Sequence, residues 1–278
     1  MGFSITEADI SAFRLALRSA ERSAGAVAQY GRAVSGLAVW LDGRGVSQEL
    51  LNDWKGELAS RYSARTVNAM LAAVNCFCKF AGTPFRLRFL KVQRAAFRDA
   101  ARELTRADYE RLLGAAERTG QRRLALAMEC LCATGVRVSE LRYFTVEAAR
   151  RGRADVALKG KIRTILLPAK LCRKLLKYAK KQKIARGEIF LTTGGKGMDR
   201  RQIWAAMKRL CRKAGVASSK VFPHNLRHLF ATAYYRVYRD IVKLADMLGH
   251  SSIETTRIYL VESGAEHQRQ LERLGLIT

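Results

Sequence analysis

Acidic residues are scarce in this sequence: 24 Asp and Glu stand against 51 Lys and Arg in 278 residues, a formal net charge of +27. A folded chain this cationic needs a polyanionic partner, most simply nucleic acid, with an acidic membrane surface as the weaker alternative. Long apolar runs are missing too. The longest stretch without a charged residue, Thr66–Cys78, has 13 positions, well short of the ~20 needed to cross a bilayer. No basic-then-apolar leader opens the chain, so nothing argues for secretion and a cytoplasmic, nucleoid-associated location is expected. Histidine is rare, with four in all, and none lies close to a Cys-x-x-Cys, so the spacing of a zinc site is lacking. The six cysteines, Cys76, Cys78, Cys130, Cys132, Cys172 and Cys211, read as small buried hydrophobes in a reducing compartment.

What is present is mostly helical patterning. Thr6-x-x-Asp9 reads as a helix N-cap. Ile10, Phe13, Leu15 and Leu17 follow it, and Val27, Tyr30, Val34, Leu37, Trp40 and Leu41 mark an apolar stripe at helical spacing. Two more helices are predicted around Leu50–Leu58 and Val67–Phe80, the second stopped by the string AGTP at 81–84. Residues 84–102 then read as a linker with a net charge of +5, and Thr105 with Asp108 restarts a helix by the capping pattern. The domain boundary is placed near residue 95. Beyond it, Leu124–Ala133 reads as a helix buried on most sides. Arg150–Arg186 holds 14 Lys and Arg against one acid, Asp155, a net +13. Within that stretch, ADVALKGKIRTILLP has β-branched residues on both sides of Lys159-Gly160-Lys161, the pattern of a hairpin with lysines at or near its turn. Such clustering of charge is the footprint of a nucleic-acid surface rather than of a merely solvated face. Arg86, Arg88, Lys91, Arg94, Lys161 and Arg163 are the candidate DNA contacts.

Four elements can be read as one site: Arg137 in ATGVRVSEL, Lys159 in the hairpin, His224 and Arg227 in HNLRHLFAT, and His250 nine residues before Tyr259 in LGHSSIETTRIY. His224 and Arg227, at i and i+3, share a helix face. Ser251 and Glu254 fit a capping box, which puts His250 at a helix start and Tyr259 two turns further on. On a phosphodiester, two arginines grip the non-bridging oxygens and neutralise developing charge. A tyrosine hydroxyl can be the nucleophile, a lysine can protonate the leaving oxygen, and histidines can move protons or hold the phosphate. No carboxylate cluster accompanies them, so the chemistry implied is metal-free and needs no cofactor.

In that order these motifs resemble the tyrosine recombinase family of phage-type integrases and site-specific recombinases. ELTRADYERLL, ATGVRVSEL, KGKIRTILLP, HNLRHLFAT and LGHSSIETTRIY carry the resemblance in the second half. The helical first half, notably RYSARTVNAMLAAVNCFCKFAG, looks like the family's core-binding domain. The resemblance implies a mainly α, two-domain protein: a helical SAM-like core-binding domain over 1–95, ending in the basic linker, and an α-rich catalytic domain with a small antiparallel sheet over 96–278. It implies that Arg137 and Arg227 bind phosphate, that Tyr259 is the nucleophile, and that His224, His250 and Lys159 complete the catalytic set. The family's hairpin commonly reads Gly-Lys-Gly-x-Lys, whereas here it is Leu-Lys-Gly-Lys, one residue shorter; Lys161 is therefore the alternative general acid. His228 is taken as a structural residue of the Arg227 helix and His267 as solvated tail.

The implied partners are double-stranded DNA with short inverted-repeat half-sites and three further copies of the chain. The copies would clamp two duplexes and exchange strands through a Holliday junction, and an accessory directionality factor has a place among the partners. Leu271, Leu274 and Leu276 of the tail are candidates for docking on a neighbouring protomer. Two other readings stay open: a type IB topoisomerase-like nicking and closing enzyme, and a non-catalytic DNA-binding protein on the same fold.

Overall fold

A computed structural model describes residues 3–92, 100–158, 161–250, 252–260, 268–269 and 272–274, the side chains of 100, 158 and 161 excepted. The chain divides into two compact units, Met1–Arg94 and Ala95–Thr278.

The first unit is built from four helices, α1 (Glu7–Ser19), α2 (Ala24–Leu41), α3 (Gln48–Arg61) and α4 (Ala64–Phe80). Each starts at a Ser or Thr whose hydroxyl accepts from the first turn's backbone, and at α1 Thr6 and Asp9 cap each other reciprocally. α2 packs on α1 and α4, with Val34, Leu37, Leu51, Val67, Leu71 and Val74 wholly buried. Of the apolar residues that follow the Thr6 cap, Ile10, Phe13 and Leu17 are buried and Leu15 faces solvent.

The segment 84–92 departs from the linker expectation, because it is held against this unit. Asn75 Nδ2 donates to Leu87 O at 2.9 Å while its Oδ1 accepts from Leu87 N at 2.8 Å. Asn68 does the same for Leu90, at 2.9 and 2.8 Å. Gln48 accepts from Arg86 N at 3.1 Å. Two side-chain amides seven residues apart on α4 thus satisfy the extended backbone as a neighbouring strand would. They turn Leu87 into the core and leave Arg86, Arg88 and Lys91 exposed.

The second unit surrounds α6 (Arg122–Thr134), which touches α5 (Arg106–Arg118), α8 (Ala169–Lys181), α9 (Arg200–Ala214) and α10 (Pro223–Tyr238). That enclosure explains why Leu124–Ala133 is nearly all apolar; Glu129, its one charge, pairs with Lys174. After a 3₁₀ turn (Val138–Tyr143) and α7 (Val146–Arg151), strands β1 (Arg153–Leu158) and β2 (Lys161–Leu166) pair antiparallel, with Leu158 opposite Lys161. α11 (Ile241–Leu248) and α12 (Ile253–Arg257) complete it. α8 and α9 bury one face and turn their lysines and arginines to the other, exposed except for the half-buried Lys208. Four of the six cysteines, which are all unpaired, are buried, and Cys76 and Cys132 are half-buried; burial pushes the Cys132 thiol up to about 12. Among the described residues no helix is long and apolar enough to cross a membrane.

Candidate active site

Arg227 is the centre of the site. Its side chain is 2% exposed, which a guanidinium tolerates only when acceptors surround it. Nη1 donates to Gly135 O at 2.6 Å, Nη2 to Leu248 O at 2.7 Å and to His250 Nε2 at 2.8 Å, and Nε to the Tyr259 hydroxyl at 3.3 Å. Both carbonyls come from helix ends that stop at a left-handed glycine or just before one. Gly135 sits at φ +62°, where a Cβ would lie 2.3 Å from Phe230 Cδ1. Gly249 sits at φ +64°, where a Cβ would lie 2.6 Å from Arg163 Cδ. Neither position has room for a side chain, so the two glycines let the ATG and LGH turns close on the arginine.

Tyr259 is buried, 3% exposed, in a cage of imidazoles. Its ring centroid lies 5.5 Å from His224, 5.4 Å from His228 and 5.7 Å from His250, the last pair stacked at 10°. His224 is exposed while Arg227, one turn on, is buried, and both line one cleft with Arg137, Ser139, Trp204 and Tyr259. The cleft has a volume of about 680 Å³, and Arg200 and Arg201 at the start of α9 extend its basic wall.

The protonation of His250 follows from its neighbours. An arginine N–H can only donate, so Nε2 accepts, and the proton sits on Nδ1, which donates to Thr256 Oγ1 at 2.8 Å. Burial first, and then the charges of Arg227, Arg137 and Arg163, hold His250 down at about 4. The unfolded chain takes up this proton near ~6.5. The neutral ring therefore adds stability that is complete above that pH and is lost as pH falls toward 4. His250→Gln, which cannot be protonated, is accordingly expected to lose less melting temperature than the parent between pH 7 and 4.5; thermal melts at both pH values check this, and parallel losses would contradict it.

Arg137 caps the 3₁₀ turn that holds Glu140. Glu140 is 1% exposed; its Oε2 accepts from Arg137 N at 2.8 Å and its Oε1 from Arg137 Nη1 at 3.1 Å. Arg163 on β2 reaches the same carboxylate, Nη2 to Oε2 at 2.7 Å, and donates Nη1 to Met247 O at 2.9 Å. The Arg137 side chain stays 44% exposed, so the rest of its guanidinium faces the cleft.

The structure thus brings Arg137, His224, Arg227, His250 and Tyr259 together. Lys159 and Arg94 lie outside the described residues, as do Ser251, His267, Leu271 and Leu276; Lys161 opens β2. Leu274 is exposed. The capping expectation is corrected by one residue: the cap of α12 is Ser252, which accepts from Glu254 N at 3.2 Å. α12 ends at Arg257, so Tyr259 stands in the turn after it, its N–H bonding to Thr256 O at 2.9 Å, rather than two turns along a helix. Glu140 and Thr256 were not foreseen as site residues. The i, i+3 spacing of Arg137 and Glu140 could have pointed to the first; nothing local marks the second.

Residues 102–265 match the model of the phage integrase family. Tyrosine recombinase XerA of Pyrococcus furiosus is 28% identical over 229 residues, covering 79% of this chain and 77% of its own. Tyrosine recombinase XerD of Pseudomonas aeruginosa is 31% identical over 245 residues, covering 79% and 80%. The solved structure of a lambda integrase tetramer bound to a Holliday junction is similar in fold, with a TM-score of 0.72 at 18% identity over 92% of this chain and 77% of that one. The chain therefore belongs to the phage integrase family, and is a tyrosine-type site-specific recombinase.

Proposed function

We propose that the chain cuts and rejoins DNA through a 3′-phosphotyrosyl intermediate on Tyr259. The observation that carries this is the Tyr259 hydroxyl 3.3 Å from the buried Arg227, inside the imidazole cage. The Tyr259 hydroxyl gives its proton to His224 as its oxygen attacks the scissile phosphorus, the P–O5′ bond breaks, and the 5′ oxygen leaves with a proton from Lys159. Arg137 and Arg227 neutralise the charge that grows on the non-bridging oxygens. Neutral His250 acts as the acceptor that orients Arg227, while exposed His224 handles protons at the cleft mouth. A 5′-hydroxyl from a partner strand then reverses the reaction. Each cleavage keeps the phosphate ester's energy in the protein–DNA bond, so strand exchange needs neither cofactor nor ATP.

Residues 1–95 form the core-binding domain and 96–278 the catalytic domain. Arg86, Arg88 and Lys91, exposed on the docked segment, contact DNA phosphates, and Arg94 and Lys161 are further candidate phosphate contacts. The substrate is a pair of duplex sites with short inverted half-sites, bound by four copies, as the lambda integrase tetramer is bound to its junction. An accessory directionality factor would bias the outcome, and the reaction takes place on DNA in the cytoplasm.

Two duplexes carrying the inverted repeats, mixed with the protein, are expected to yield branched junctions and recombinant products on native gels. Nicking and relaxation alone, with no junction, would instead favour the topoisomerase-like reading. Lys159→Ala is expected to lose cleavage by about 10²-fold or more, with Lys161→Ala close to wild type; the reverse pattern would move the general acid to Lys161.

A further inference from the structure

We propose that Arg163, although it lies in the most basic region of the chain, is a positioning residue of the active site rather than a DNA contact. Its guanidinium faces inward. The side chain is only 16% exposed, Nη2 is bonded to the buried Glu140 and Nη1 to Met247 O. Its stem lies against Gly249, so close that a Cβ there would stand 2.6 Å from Arg163 Cδ and 2.8 Å from Nη1.

One side chain therefore joins three segments far apart in sequence. It starts on the hairpin strand β2. Through Glu140 it reaches the turn that carries Arg137, since the carboxylate oxygen that accepts from Arg163 Nη2 also accepts from Arg137 N. Through Met247 O and Gly249 it reaches the turn that presents His250, whose Nε2 holds Arg227. A phosphate ligand would need a guanidinium directed at the DNA; this one has its Nη1 and Nη2 groups on protein acceptors in a half-buried geometry that a water-facing arginine would not adopt. Among the described residues, losing it leaves Glu140 with Arg137 as its one charged partner, and it unties both turns. The expected consequence is misplacement of Arg137, with DNA affinity intact.

Two measurements separate the roles. A phosphate-contacting arginine contributes about one unit to the slope of log affinity against log salt. Arg163→Met is expected to leave affinity and slope as in the wild type, while cleavage, scored as release of the 5′-hydroxyl strand, falls by about 10²-fold. A substrate with a methylphosphonate at the scissile position lacks the charge that Arg137 neutralises. On it the gap between Arg163→Met and wild type is expected to close to about threefold or less, as it should for Arg137→Ala.

A slope lowered by about one, with affinity lost in proportion, would overturn the proposal in favour of a phosphate contact. A cleavage gap unchanged on the methylphosphonate, when that of Arg137→Ala does close, would overturn action through Arg137. The inference rests on reading Arg137 as the charge-neutralising group; if Arg137→Ala gains nothing on the neutral substrate, that reading fails and the inference falls with it. Should thermal melts show that Arg163→Met does not fold, Arg163→Lys takes its place in the same assays. Its ammonium can stay beside Glu140 but lacks the fork that reaches Met247 O at the same time, so the same loss on the phosphodiester and the same relief on the methylphosphonate are expected.

Discussion

Arg227→Lys is expected to abolish detectable strand cleavage, a loss of about 10³-fold or more, and to lower the melting temperature as well. The substitution keeps the charge, so a purely electrostatic role would forgive it. The geometry does not. Arg227 meets two carbonyls, an imidazole nitrogen and a phenol oxygen from one planar group, and a lysine has three donors on a single atom. Whichever acceptors the ammonium abandons stay buried, at about 1–3 kcal/mol each. In a domain of this size each kcal/mol corresponds to roughly 2–4 °C, so a drop of several degrees should accompany the catalytic loss. The catalytic figure follows from removing one preorganised donor, ~10²–10³, together with releasing His250 and Tyr259 from their shared partner. Cleavage assays on a nicked duplex and calorimetric melts measure the two effects; a Lys variant that cleaves within tenfold of wild type would show that the fork is dispensable.

Tyr259→Phe separates chemistry from structure. The ring and its three imidazole neighbours remain, and one hydrogen bond to Arg227 Nε is lost. Stability should therefore change by no more than about 1 kcal/mol, and DNA affinity, expected to come from the basic surfaces, should hold. Covalent adduct formation should be zero, because no atom remains to attack phosphorus. Gel shift and denaturing gels on the same samples read both properties. Adduct from the Phe variant would transfer the nucleophile to another residue, and loss of folding would make Tyr259 a core residue first.

Much of the architecture was legible because its signals are local. Capping pairs at Thr6–Asp9 and Thr105–Asp108 start helices where they were expected, the apolar run at 124–133 proved to be the enclosed helix α6, and the basic hairpin has its strands on both sides of residues 159–160. The site could be listed from ordered motifs because each contributes a side chain from a turn or helix start with recognisable punctuation. What escaped depends on partners distant in sequence. Nothing around Leu87 and Leu90 announces that Asn75 and Asn68 satisfy their backbone, so the segment read as a free linker. Arg163 looked like one more cation in a +13 stretch; only its approach to Glu140, 23 residues back, and to Met247, 84 residues on, shows an inward side chain. Tyr259 is expected two turns along a helix because Ser251 and Glu254 fit a capping box; the structure caps that helix at Ser252 and ends it at Arg257.

Strand transfer is expected to run through the Tyr259 oxygen as nucleophile, without a metal. This is tested most directly by trapping the protein on a nicked duplex in EDTA, digesting the adduct and locating the attached nucleotide by mass spectrometry. A nucleotide carried through its 3′ phosphate on the peptide containing Tyr259 is the predicted result. An adduct on any of the other tyrosines, or none despite clear binding, would contradict the account and leave the cluster around Arg227 as a preserved fold without its reaction.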